Sequence, residues 1–169
     1  MESITIPERP SAVGLSYTGD KWRYTQVKAL EAFLRSDRKF FFLDACAGSG
    51  KSGIAIALAN LLPAKAIILT HSLQLVGQYC KDAPNTLTMS GRGNFECFLN
   101  PDYTAANAPC NAGFRCKAKK ECPYFKAKFR AISSKQPLVT NYSYFLNLSE
   151  SQPVRTELLV CDEGHFAED

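Results

Sequence analysis

Two short runs carry residue types that could do phosphate chemistry together. Ala45-Cys-Ala-Gly-Ser-Gly-Lys-Ser52 is glycine-rich and ends in Lys-Ser, and Asp162-Glu-Gly-His165 supplies an acidic pair. Gly48 and Gly50 let the backbone turn the N–H groups of Ala47, Gly48, Ser49 and Gly50 inward around a polyphosphate. Lys51 would reach the β- and γ-phosphates, and the Ser52 hydroxyl would ligate Mg²⁺. Asp162 would hold the same Mg²⁺ through water, and Glu163 would orient and deprotonate the water that attacks the γ-phosphate. The strict pattern G-x-x-x-x-G-K-[ST] wants Gly where Ala45 stands. Ala is the smallest substitute, and Gly48 supplies flexibility inside the loop. The competing readings are a glycine-rich turn ahead of a core helix and, for the acids, a charged turn. Arg23 and Gln26 lie upstream, and a glutamine amide, donor and acceptor at once, suits the Hoogsteen edge of adenine.

A second constellation is Cys97, Cys110, Cys116 and Cys122, spaced C-x12-C-x5-C-x5-C. Four thiolates suit a tetrahedral Zn²⁺ or an iron–sulfur cluster. Structural zinc sites usually include one tight cysteine pair, which this spacing lacks, so the wide spacing and the Cys122-Pro123 step favour a cluster over zinc or no metal. Cys46, Cys80 and Cys161 read as small packing residues.

The same region is basic. Between Arg115 and Arg130 stand seven cations, Arg115, Lys117, Lys119, Lys120, Lys126, Lys128 and Arg130, against one acid, Glu121. Phe114, Tyr124, Phe125 and Phe129 are interleaved with them. Cations for phosphates and flat rings for bases make a single-strand binding surface, with Arg115, Lys117, Lys119, Lys120, Tyr124 and Lys126 as its candidate contacts. The bland alternative is a solvated basic helix with some aromatics packed on a sheet.

The elements that must position these groups follow from patterning. The chain has 169 residues, 46% apolar and 21% charged, with a net charge of +4, which bounds it to one ordinary globular domain. Its apolar runs are far below a membrane span and its start lacks the layout of a signal peptide, so a cytoplasmic address and no membrane partner are expected. Seven cysteines without such a signal argue against a disulfide framework. Residues 1–21 read as an irregular lead-in with one short strand. A helix is expected from Tyr24 to Ser36 with Thr25 as cap, a strand at Phe40–Leu43, and a helix at Gly53–Asn60. A buried strand follows at Lys65–Thr70 and a helix at Ser72–Tyr79. The alternation breaks near Ser90, and Gly91 to Cys122 cannot build a core of its own. It resumes with an amphipathic basic helix from Pro123 to Ser133, a strand at Pro137–Asn141, a short helix at Tyr142–Leu148 and a last buried strand at Glu157–Asp162. Such alternation predicts an α/β fold with a mostly parallel sheet covered on both faces. The acidic pair then sits at a strand's carboxyl end, where such sheets bind ligands.

Together the pieces resemble the iron–sulfur DNA helicases of superfamily 2, the DinG/XPD type. The matching segments are Arg23 with Gln26, the loop Ala45 to Ser52, Thr70-His-Ser-Leu-Gln-Leu-Val-Gly-Gln78, the four cysteines ending in Cys122-Pro-Tyr124, Val139-Thr-Asn-Tyr-Ser143 and Asp162-Glu-Gly-His165. The resemblance implies a RecA-like P-loop domain in three layers, ATP and Mg²⁺, a [4Fe-4S] cluster, and ATP-driven translocation on single-stranded or fork DNA with duplex unwinding. It also implies that Leu73–Gln78 lies close to the DNA backbone. The domain reading is a lead-in at 1–21, the first half of the ATP-binding domain at 22–90, the iron–sulfur insertion at 91–135, and a return to the ATP-binding domain at 136–169.

Three departures from that family matter. Ala45 is a mild one, the short Cys97–Cys110 spacing makes a compact cluster domain, and the sequence stops soon after the acidic pair. A second motor domain, with the arginine that such motors supply across the cleft, would then have to come in cis or in trans, and the chain alone is expected to hydrolyse nucleotide weakly or not at all. The alternative is a metal-stabilised single-stranded nucleic-acid-binding module without motor activity. A small P-loop kinase would need a lid and an acceptor site where the cysteines stand.

Overall fold

The structure is a computed structural model that describes residues 4–16, 20–151 and 155–163, without the side chains of 149–151. Gly164 and His165 of the acidic turn therefore lie outside the described residues.

Four parallel strands form one sheet in the order β2-β3-β1-β4: β1 (Ala66–Thr70), β2 (Leu87–Met89), β3 (Leu138–Asn141) and β4 (Leu158–Cys161). β1 is buried along its whole length, as a central strand of a parallel sheet must be. Its register sets Ile68 beside Val139 on one side and Val160 on the other. Because side chains alternate along a strand, Ala66 and Ile68 enter one core and Ile67 and Leu69 the other.

The first core is closed by helices α1 (Tyr24–Arg35), α2 (Lys51–Leu61) and α3 (Leu73–Asp82), which contribute Leu30, Ile56 and Val76. The second is closed by α4 (Pro123–Ser133) and α5 (Tyr142–Ser151), through Tyr124, Ala131, Tyr144 and Leu148. A sheet between two helical layers is the three-layer α/β architecture expected of a RecA-like domain. Among the described residues no helix is long and apolar enough to cross a membrane.

Several sequence expectations need correction. The lead-in holds a 3-10 turn at Pro10–Val13 and no strand among its described residues. Thr25 does not cap α1; Arg23 is the N-cap, and its N–H donates to Gln26 Oε1 at 3.0 Å. The short strand β2, unexpected from the sequence, pairs with β3. Phe40–Leu43 is not a strand: Phe40 and Phe42 are 72% and 92% exposed, and Phe41 packs edge-on against Phe33 at 5.4 Å. An apolar run becomes a strand only beside a partner ladder, and no described strand pairs with it. The last strand is only half-buried, Leu159 being 44% exposed, because β4 is the sheet's edge. For the same reason Cys161 is exposed; Cys46, on the irregular loop, is exposed too, so neither is a packing residue. Cys80 is partly buried.

Candidate nucleotide and nucleic-acid site

The loop expected to cradle phosphate leads directly into α2, whose N-cap is Gly50. Gly48 and Gly50 both have positive φ, +75° and +90°, a region L side chains rarely adopt. At Gly50 a Cβ would also stand 2.4 Å from Gln26 Nε2, so any other residue would be strained and would displace the Gln26 amide. The loop is clamped from α1. Arg23 Nη1 donates to Gly48 O, and Gln26 Nε2 donates to Gly50 O at 3.2 Å. Gln26 is 1% exposed and both ends of its amide meet backbone, so in this conformation it braces the loop rather than presenting an edge to a base. Lys51 Nζ donates to Ala45 O at 2.6 Å and Cys46 O at 3.2 Å, drawing the loop together. Among the described residues, Ser49 Oγ is buried without a hydrogen-bond partner, as is Asn141 Oδ1 at the end of β3. Buried polar atoms normally find one, so both are free to meet a ligand or water.

The carboxyl ends of β1, β3 and β4 bring together residues distant in sequence. Asp162 is held at three points: its N–H donates to Leu69 O at 2.9 Å, its carbonyl accepts from Tyr142 OH at 3.0 Å, and Oδ2 accepts from Tyr79 OH at 2.7 Å. The Ser52 side chain lies near the same phenol and acts on its ionisation. Ser52 and Asp162, the two residues assigned to Mg²⁺ on sequence grounds, therefore both neighbour one phenol, which is hydrogen-bonded to Asp162. Burial and the neighbouring Asp162 carboxylate push the Tyr79 phenol far up, so it stays a donor at any working pH. Glu163 adopts φ +52°, a strained conformation for a non-glycine residue, and its Oε2 lies 2.8 Å from His71 Nδ1. Tyr79, Tyr142 and His71 are not singled out by the motif chemistry; His71 and Tyr142 lie in the family-like segments Thr70–Gln78 and Val139–Ser143 and directly follow strands, whereas Tyr79 falls just beyond the first segment.

Cys97, Cys110, Cys116 and Cys122 all line one cavity with Arg92 and Tyr124. All four are free thiols. Desolvation pushes the Cys110 thiol up, and the charges of Cys116 and Cys97 add to it, while Arg92 opposes them. Among the described residues no group of three or more His, Cys, Asp or Glu side chains is arranged to hold a single metal ion. A tetrahedral Zn²⁺ would need sulfurs about 3.8 Å apart, given its bond lengths.

The candidate nucleic-acid contacts divide. Arg115, Lys117, Lys119, Lys120 and Lys126 are exposed. Tyr124 is not available to a base: it is 5% exposed, its ring packs edge-on against Phe95 and Phe125, and the Arg92 guanidinium lies over it at 4.9 Å. Its helical position turns it onto the sheet. The exposed rings of this region are Phe98, Tyr103, Phe114 and Phe129.

A family model described as "Type III restriction enzyme, res subunit" matches residues 20–169. No curated protein and no solved structure matches the chain. The family is of the superfamily 2 helicase type, with ATPase and helicase-like activity in general, and the match spans both the loop and the acidic pair. The parallel sheet, the glycine loop at its helix and the acidic pair at its carboxyl edge accord with that match, and the chain belongs to the Type III restriction enzyme res-subunit family of helicase-like, ATP-dependent nucleic-acid motors.

Proposed function

We propose that this chain is the ATP-binding and iron–sulfur portion of a DNA helicase of the DinG/XPD type, coupling ATP hydrolysis to movement on single-stranded DNA. The observation that carries the nucleotide part is the approach of the phosphate loop's Ser52 and the acidic pair's Asp162 to one buried phenol, Tyr79, which is hydrogen-bonded to Asp162 at the sheet's carboxyl edge. In this reading the N–H groups of Ala47, Gly48, Ser49 and Gly50 receive the phosphates, with Arg23 and Gln26 bracing the loop from behind. Lys51 leaves the loop carbonyls for the β- and γ-phosphates. Ser52 and Asp162 hold Mg²⁺, which when bound neutralises charge on the phosphates. Glu163, held by His71, orients the attacking water and accepts its proton.

What supports a metal centre is that the four cysteines line one cavity as free thiols, and the wide spacing of these cysteines favours a cluster over zinc. Cys97, Cys110, Cys116 and Cys122 would hold a [4Fe-4S] cluster there, supplying a covalent staple to a region with little regular structure. The exposed Arg115, Lys117, Lys119, Lys120 and Lys126 beside it are the phosphate contacts for DNA.

Two measurements test this. Binding of a fluorescent ATP analogue should weaken at least about 100-fold in Lys51→Ala, the loss of charge-assisted contacts to two phosphates. Iron and acid-labile sulfide in anaerobically purified protein should approach the stoichiometry of one cluster. DNA binding without any nucleotide affinity would leave instead the reading of a metal-stabilised binding module, and zinc without sulfide would remove the cluster.

A further inference from the structure

The β1–α3 segment touches both members of the acidic pair. His71, just ahead of the α3 cap Ser72, meets Glu163, and Tyr79, two helical turns along, meets Asp162. Tyr79 is the more constrained of the two. It is 1% exposed, the largest of the fully buried side chains, and its ring belongs to the first core. A ring fixed by packing leaves its hydroxyl one place to be, and that place is against Oδ2 of Asp162, with Ser52 nearby. The hydroxyl takes Oδ2 of Asp162 and leaves Oδ1 unassigned.

We propose that Tyr79 is a positioning residue for the metal-holding Asp162, its buried hydroxyl fixing where that carboxylate stands at the sheet's carboxyl edge and which carboxylate oxygen faces the bound nucleotide. The inference rests on the nucleotide reading above and goes beyond it by assigning a residue outside both motifs. Asp162 needs such a partner because β4 is an edge strand, packed on one side only. Its backbone is tied by Leu69 and Tyr142, but its carboxylate is oriented by Tyr79.

The test is the Mg²⁺ dependence of nucleotide binding in the full chain, read with a fluorescent ATP analogue well below each variant's own melting midpoint. In Tyr79→Phe, which removes one oxygen and keeps the ring, the Mg²⁺ concentration for half-maximal tightening should rise about tenfold, as expected for one lost hydrogen bond to a charged group. Affinity for the nucleotide in excess chelator should stay unchanged. Tyr144→Phe makes the same change on the opposite face of the sheet and should leave both values as in the parent chain. A second reading comes from Asp162→Asn. Adding Tyr79→Phe to it should shift the Mg²⁺ midpoint no further, because the carboxylate that Tyr79 orients is already gone.

An unchanged midpoint in Tyr79→Phe overturns the proposal, as does an equal loss of metal-free affinity, which would make the residue a packing element only. Full additivity with Asp162→Asn also overturns it. If the parent chain binds nucleotide with a Lys51-dependent affinity, these failures concern Tyr79 alone. If it binds none, the nucleotide reading falls and the proposal with it.

Discussion

Asp162 and Cys110 are both candidate ligands, yet they are held in very different ways. Asp162 is fixed by three hydrogen bonds from three elements, the fully buried central strand β1 and helices α3 and α5. Cys110 lies in a four-residue 3-10 turn, Pro109–Ala112, tied to its neighbours by turn hydrogen bonds such as Asn111 N–H to Ala108 O. From 91 to 122 the regular structure amounts to that turn, a second at Arg92–Asn94, and an isolated bridge between Glu96 and Thr104. Only a few side chains, Ala105 and Cys122 among them, anchor the region in the second core. A sheet orients its ligands through long-range backbone bonds and burial. A turn-rich region must borrow order, which a group bound by its cysteines, as proposed above, would supply.

That contrast can be broken first at Cys116. If the cluster staples the turns, Cys116→Ser should lose essentially all iron and sulfide. Limited proteolysis should then cut between 91 and 122 while α2 and the sheet stay protected. Equal protection in both regions would mean that the turns hold themselves.

A smaller effect tests the surface of the same region. If about five phosphates are contacted by the exposed cations, single-stranded DNA affinity should fall about 100-fold between roughly 50 and 200 mM salt. Nucleotide affinity, set in the braced loop, should fall much less. A flat salt response of DNA binding would turn the basic residues into solvated charges.

The smallest expected effect lies on the sheet side. Gly50→Ala puts a Cβ at φ +90° and against Gln26, so it should destabilise the domain by about 2 kcal/mol in chemical denaturation. Gly113→Ala, also at positive φ but with nothing near its Cβ, isolates the backbone part of that cost at about 1 kcal/mol. Equal losses would show that the Gln26 brace carries no strain.

Much of this was legible in the residues themselves. Periodicity placed α2, α3, α4, β1 and β3 within a residue or a few of where they stand, and Pro123 marked the start of α4 correctly. Loop chemistry singled out Gly48 and Gly50, whose positive φ is a local property of glycine. Strand status was less legible. Phe40–Leu43 has a strand's composition without a partner, and Leu87–Met89 is a strand because β3 lies beside it.

The sequence by itself determined which groups are present and how they are locally disposed: a glycine loop running into a helix, an acidic pair after an apolar run, four spaced cysteines. These depend on neighbours a few residues away. Only the tertiary structure decided which of them meet. It spent Gln26 on the loop, turned Tyr124 into the core, gathered four cysteines on one cavity and set the Tyr79 hydroxyl against Asp162. The reason is that a side chain's partner across a parallel sheet depends on strand order and register, which no local pattern encodes.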